Sequence, residues 1–107
     1  MPSYSSLAEV KEILRIDLAD TGSDSELTIC ITSADSLIDN ILKYWGFTVP
    51  LSPTPTAVNN ASKNFAAWMF RMRGAPPAEA QPFFKLGMQF LDAYVDAEKR
   101  QPYVGVA

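Results

Sequence analysis

Apolar residues along this chain recur at helical spacing in four separate stretches. The first opens at Ser6-Leu7-Ala8-Glu9, a serine followed three residues later by glutamate. That is a capping box, in which each side chain satisfies a free backbone N–H of the first turn. Leu7, Val10, Ile13 and Leu14 follow at steps that share one face, predicting a short helix from Leu7 to about Arg15. Ile16 to Gly22 reads as a loop, because Asp17, Asp20, Thr21 and Gly22 are turn formers. Ser23-Asp24-Ser25-Glu26 has the spacing of a second capping box. Beyond it, Leu27, Ile31, Ala34, Ile38 and Ile41 mark the clearest helix, from about Asp24 to Tyr44, with Cys30, Leu37 and Leu42 widening the stripe. Asp35, Asp39 and Lys43 are expected on its opposite, solvated side, and Gly46 is expected to end it in a left-handed conformation.

Pro50, Pro53 and Pro55 exclude continuous helix from Phe47 to Thr54, since proline fixes its own φ and extends the residue before it. Thr54 reads as an N-cap and Pro55 as the first residue of a third helix reaching about Arg73. Val58, Ala61, Phe65, Trp68, Met69 and Met72 form its apolar stripe, and Gly74 stands where a helix-ending glycine belongs. After the stiff Ala75-Pro76-Pro77 turn, a fourth helix is expected from Pro77 or Ala78 to Arg100. Pro82 makes a start at Gln81 the competing reading. Phe83, Leu86, Phe90, Leu91, Tyr94 and Val95 supply its buried side. No segment alternates as a strand would. The expected fold is all-α: a small four-helix bundle with two long helices, a Pro-rich loop between helices 2 and 3, and an extended C-terminal tail. Residues 1–100 would form one helical domain and residues 101–107 the tail.

Composition fits that picture. At 107 residues, 48% hydrophobic and 20% charged, the chain is one ordinary globular domain rather than a disordered segment. Such a domain buries roughly 65% of its unfolded surface. No apolar run approaches the roughly 20 residues needed to span a bilayer, and Met1-Pro2-Ser3-Tyr4 is unlike a signal peptide. One cysteine excludes an internal disulfide, and the absence of histidine removes the commonest general base and metal ligand. Net charge is −3, and the sequence pI is about 4.7, the reverse of a duplex-binding domain. The sign is uneven: residues 1–54 carry three basic and eight acidic side chains, residues 55–107 six and four. Each half either solvates its own helices or meets the opposite half of a neighbour.

Candidate chemistry is sparse, with no phosphate loop, cysteine pair or nucleophile elbow. The pairs Asp35/Asp39 and Asp92/Asp96 read as solvated helix faces, short of the six to eight oxygens that Ca²⁺ takes. Cys30, on an apolar stripe, reads as a buried, inert thiol. No metal, cofactor or catalytic residue is expected, and the chain is read as a non-enzyme. Phe65-Ala66-Ala67-Trp68-Met69-Phe70 is apolar all round its helix, so it is either central in the core or covered by another subunit. Trp45 and Phe47, large aromatics beside a helix end, pose the same choice. Arg71 and Arg73 suit a helix C-terminus, an ion pair with a neighbour, or DNA phosphates. Tyr103-Val104-Gly105-Val106 is either a frayed end or a strand that adds to another protein's sheet.

The order of these pieces resembles the head–tail connector family of tailed phages, also called neck adaptors or head-completion proteins. The resemblance rests on Tyr4 to Ile16, a serine-capped L-x-x-V-K-x-x-L run leading to an acidic loop, and on the acid-capped helix with Leu27, Ile31, Ala34, Ser36 and Ile38. It continues in the Pro-containing loop before an alanine- and aromatic-rich helix, and in the long last helix with a short tail. Arg71-Met72-Arg73-Gly74-Ala75-Pro76-Pro77 departs from the Arg-Glu or Tyr-rich segment of many relatives. The resemblance implies a virion structural protein made in the host cytoplasm and placed in the neck of the virion. It implies a homo-oligomeric ring, usually dodecameric, below the portal protein, with a stopper or tail-completion protein docked beneath. DNA would pass through the ring without specific binding, which an acidic wall suits, and no membrane is involved. Within that reading, Asp35 and Asp39 are expected to pair with a neighbour's Arg71 and Arg73, with Trp45 and Phe47 as interface anchors. Pro102, Tyr103, Val104 and Val106 are expected to dock on the portal. The alternatives are a small helical DNA-binding regulator, against which the charge balance speaks, and another phage neck or tail-completion protein.

Overall fold

The computed structural model describes the backbone of residues 3–74 and 77–106, and the side chains within those ranges except at 74, 77–79 and 99–106. Four helices follow in order: α1 Leu7–Leu14, α2 Asp24–Tyr44, α3 Thr56–Gly74 and α4 Pro77–Val106. There is no strand among the described residues, and the all-α class stands as read from the periodicity.

The capping box at α1 forms as its spacing predicts. Ser6 Oγ accepts from the Glu9 N–H at 3.2 Å, and Glu9 Oε1 accepts from the Ser6 N–H at 2.8 Å. Arg15 ends α1 in the left-handed region at φ 60°. The second capping box does not form. Ser23 sits at φ −110°, ψ 8°, not in the extended geometry that aims a cap side chain at the first turn, and it makes no side-chain cap. Asp24 and Glu26 still place negative charge at the helix start. The C-terminus of α2 closes as expected. Gly46 takes φ 89°, its N–H bonds the Lys43 carbonyl at 3.0 Å, and the Phe47 N–H bonds the Leu42 carbonyl at 2.9 Å. This is a Schellman motif, which needs a residue that tolerates positive φ at that place.

Two boundaries differ from the sequence reading. Helix α3 starts one residue later: Pro55 is the cap whose carbonyl accepts from the Asn59 N–H at 2.9 Å, rather than the first helical residue. Helix α4 starts at Pro77, passes through Pro82, and remains helical to Val106, so residues 101–106 are not an extended tail. Pro82 and Pro102 have a φ that fits a helix, but each removes one intrahelical bond and crowds the carbonyl one turn back, so α4 runs through them at a cost. With no strand beside it to satisfy an extended backbone, that segment satisfies itself as helix.

Helix α3 is central. It packs against α1, α2 and α4, with α4 its most extensive neighbour, while α2 and α4 barely touch. Phe65, Ala66 and Ala67 are therefore fully buried, which resolves the apolar-all-round segment toward core packing; Trp68, Met69 and Phe70 are half-buried. Phe65 packs on Phe84 and faces Gly87, where a Cβ would lie 2.8 Å from its ring. Only glycine permits that approach. Trp68 packs on Phe84 with tilted rings, 4.8 Å between centroids. Antiparallel packing of α2 on α3, and of α3 on α4, makes α2 and α4 run the same way. At 30 residues α4 spans about 45 Å against about 28 Å for α3, and the molecule measures 52 × 30 × 20 Å.

Candidate functional site

Asp35 lies at the centre of the most connected polar cluster. Helix α2 carries it at the edge of the buried stripe, and the segment before α1 crosses over it. The Tyr4 N–H donates to Asp35 Oδ2 at 3.1 Å, and Ser62 Oγ of α3 donates to Asp35 Oδ1 at 2.7 Å. Ser5 Oγ meets Ser62 Oγ at 2.6 Å. One turn on, Asp39 Oδ1 accepts from the Tyr4 hydroxyl, which in turn accepts from the Leu51 N–H at 2.9 Å. Asn59 Nδ2 donates to the Tyr4 carbonyl at 2.8 Å and reaches the Glu9 carboxylate. Residues 4–9 are thus strapped across α2 and α3.

The electrostatics follow from burial. Burial pushes the Asp35 carboxyl above its ordinary range, Asp39 adds to that, and the bonds from Ser62 and Tyr4 pull the other way. Burial and the bond to Asp39 push the Tyr4 hydroxyl up to about 12. Burial would raise Glu9, but bonds from Ser6 and Asn59 and the Lys63 charge outweigh it and hold the carboxyl below its usual range. Burial raises the Cys30 thiol, as expected of an inert cysteine.

A second cluster organises the loop between α1 and α2. Lys11 is only 3% exposed. Its Nζ lies 2.6 Å from Asp24 Oδ1, 2.7 Å from the Asp20 carbonyl and 3.3 Å from the Leu18 carbonyl. The ammonium fills the space that the surrounding oxygens leave. Among the described residues no cluster of His, Cys, Asp or Glu could hold a metal ion.

These facts revise the expected interface. Asp35 is 5% exposed, so its carboxylate is closed to a neighbouring subunit, and Asp39 is engaged by Tyr4. Neither lies on a solvated face, because the Tyr4 strap covers that flank of α2. Arg73 pairs with Glu26 of its own chain at 3.8 Å, and Lys63 approaches Glu9 at 4.0 Å. Opposite charge between the two halves is thus partly met within the molecule. Arg71 is half-buried. Phe47 is not a free anchor: it packs on the core and against Tyr94 at 5.6 Å. Trp45 is 48% exposed and meets the 83% exposed Tyr44 edge to face. The side chains of Pro102, Tyr103, Val104 and Val106 lie outside the described residues.

Two surface features escaped the sequence reading. On α4, Ala80, Gly87, Leu91 and Val95 are buried against α3. About a third of a turn round the helix, Phe83, Leu86, Phe90, Ala93 and Ala97 form a second apolar stripe at steps of three and four. Phe83 and Phe90 are half-buried, and Leu86, Ala93 and Ala97 are exposed. The sequence places Phe83, Leu86 and Phe90 on the buried side; Phe83 and Phe90 do pack partly against the core, whereas Leu86 is exposed. The outer face of α2 is the other feature. Ser25, Thr28, Ile29, Thr32 and Ser36 are exposed on it with no charge among them, and the same face continues through Asp39, Asn40 and the exposed Lys43.

No protein-family model, curated protein or solved structure matches this chain. No helix among the described residues is long and apolar enough to cross a membrane.

Proposed function

We propose that this chain is a virion structural protein, a head–tail connector that forms a ring below the portal, extends the DNA channel and docks the stopper or tail. The observation that supports this best is surface left over by the monomer. The chain exposes 6606 Å², roughly 700 Å² more than the about 5,900 Å² expected of a compact protein of its mass. Its radius of gyration is 14.7 Å, against about 13 Å for a compact chain of this length. The excess is near the roughly 800 Å² that one partner gives to one standard interface, of which a ring member makes two; the exposed surface carries an apolar stripe on α4, whose one extensive helix neighbour among the described residues is α3. The helix order and the acidic balance agree with the family that the sequence resembles.

Native mass spectrometry tests the proposal, on the chain alone and mixed with the portal protein encoded in the same genome. A closed ring or a stoichiometric portal complex is the expected result. A monomer that ignores the portal refutes it, and a gel shift at low salt would then test the DNA-binding alternative.

A further inference from the structure

We infer that the contact between copies is formed by the second apolar stripe of α4 on one chain, centred on Leu86 and Phe90, against the uncharged Ser25–Ser36 stretch of the outer face of α2 on the next. The inference rests on the ring reading and names the surface through which the ring closes. The occupant of the α4 stripe is a second copy of this chain.

Three observations select this pairing. Its residues suit burial: the α4 stripe presents Phe83, Leu86 and Phe90, and the facing α2 surface presents Ile29 among small side chains. Large residues on one helix against small ones on the other give close packing. Its desolvation cost is low at the two threonines. The Thr28 and Thr32 hydroxyls already donate to the Asp24 and Thr28 carbonyls at 2.8 and 3.1 Å, so covering them strands no donor. Neither the described α4 stripe nor the Ser25–Ser36 stretch of the outer face of α2 carries a charged side chain, exposed Lys43 lying two turns further along the same face, and depletion of charge marks interface centres. The third observation is direction. Because α2 and α4 run the same way, a rotation about an axis along them sets α4 of one copy beside α2 of the next in parallel. The two surfaces differ, so the contact is heterologous, the kind that generates rings. The surplus of roughly 700 Å² is close to one partner's share of such a contact, of which each ring member makes two.

The test uses exposed positions, so that folding is retained. Leu86→Glu with Ala93→Glu alters the α4 stripe; Ile29→Glu with Ser36→Glu alters the α2 face. Each pair should abolish assembly, alone or on the portal, while the circular dichroism melting temperature stays within a few degrees of the parent. Single-cysteine chains in a Cys30→Ala background then read the pairing itself. Chains with Leu86→Cys and chains with Ser33→Cys, joined by a short bis-maleimide, should cross-link when mixed and not when either is alone. A ring that survives Leu86→Glu with Ala93→Glu overturns the interface and leaves the ring reading intact. Cross-linking of the Leu86→Cys chain to itself overturns it in favour of an α4–α4 contact. A parent chain that stays monomeric with and without the portal refutes the ring reading, and this interface falls with it.

Discussion

Replacing Asp35 separates the value of its charge from the value of its hydrogen bonds. Its carboxylate accepts from the Tyr4 N–H and the Ser62 hydroxyl at 5% exposure. Asp35→Ala leaves the Tyr4 N–H buried without an acceptor, while Ser62 still has Ser5. A stranded buried donor costs about 1–3 kcal/mol, and the small void left behind adds to it. The expected loss is about 2–3 kcal/mol, or roughly 10–20 °C in melting temperature for a domain of this size. Asp35→Asn behaves differently. Its Oδ1 takes the Tyr4 N–H, its Nδ2 donates to Ser62 Oγ, and Ser62 turns its proton toward Ser5. The Tyr4 N–H and the Ser62 hydroxyl stay paired, only the Ser5 proton gives up its acceptor, and the loss of the desolvated charge offsets this, so the variant should stay within about 1 kcal/mol of the parent near neutral pH. Because the folded carboxyl titrates above its ordinary value of 3.8, the parent binds a proton more readily folded than unfolded. Its stability relative to Asp35→Asn therefore rises as pH falls from neutral through the raised value, and levels off below about 3.8. Urea unfolding of the three proteins between pH 4 and 7 measures this. Asp35→Asn costing as much as Asp35→Ala, or a parent that weakens relative to Asp35→Asn as the pH falls, would refute the reasoning.

Two further outcomes follow from single contacts. Gly87→Ala sets a methyl 2.8 Å from the ring of fully buried Phe65; overpacking of about 1–3 kcal/mol exceeds the roughly 1 kcal/mol that alanine gains in helix propensity. The variant should melt lower, with the loss reduced in Gly87→Ala/Phe65→Leu, and a higher melting temperature would contradict the packing. Lys11→Met removes an ammonium that three oxygens share, so a loss of about 2–4 kcal/mol is expected, with faster hydrogen exchange at the Ala19 and Gly22 amides; unchanged exchange there would show that the lysine does not order the loop.

The four helices were legible because their apolar spacing is regular and their ends are written locally: Ser6 with Glu9, and Gly46 after Tyr44. Periodicity places a residue on a face of its own helix and is silent about what crosses that face. Asp35 and Asp39 sit at i, i+4, as a solvated pair would, yet their partners Tyr4 and Ser62 lie 27 to 35 residues away. The choice for Phe65 to Phe70 stayed open for a similar reason, since it depended on how many helices surround α3. Ser23 failed as a cap because spacing cannot report the ψ of the capping residue. On α4, two stripes at the same period overlap in sequence, and only the position of α3 separates them.

The strap from Tyr4 to Glu9 carries a consequence for the order of folding. Its bonds reach Asp35, Leu51, Asn59 and Ser62, residues from two helices and the loop joining them. That receiving surface exists only after α2 and α3 have paired, whereas the capping box of α1 is local. Closing contacts over 31 to 57 residues is entropically slower than closing adjacent turns. The first residues of the chain are thus among the last to lock, and their docking reports that the α2–α3 hairpin beneath them is complete.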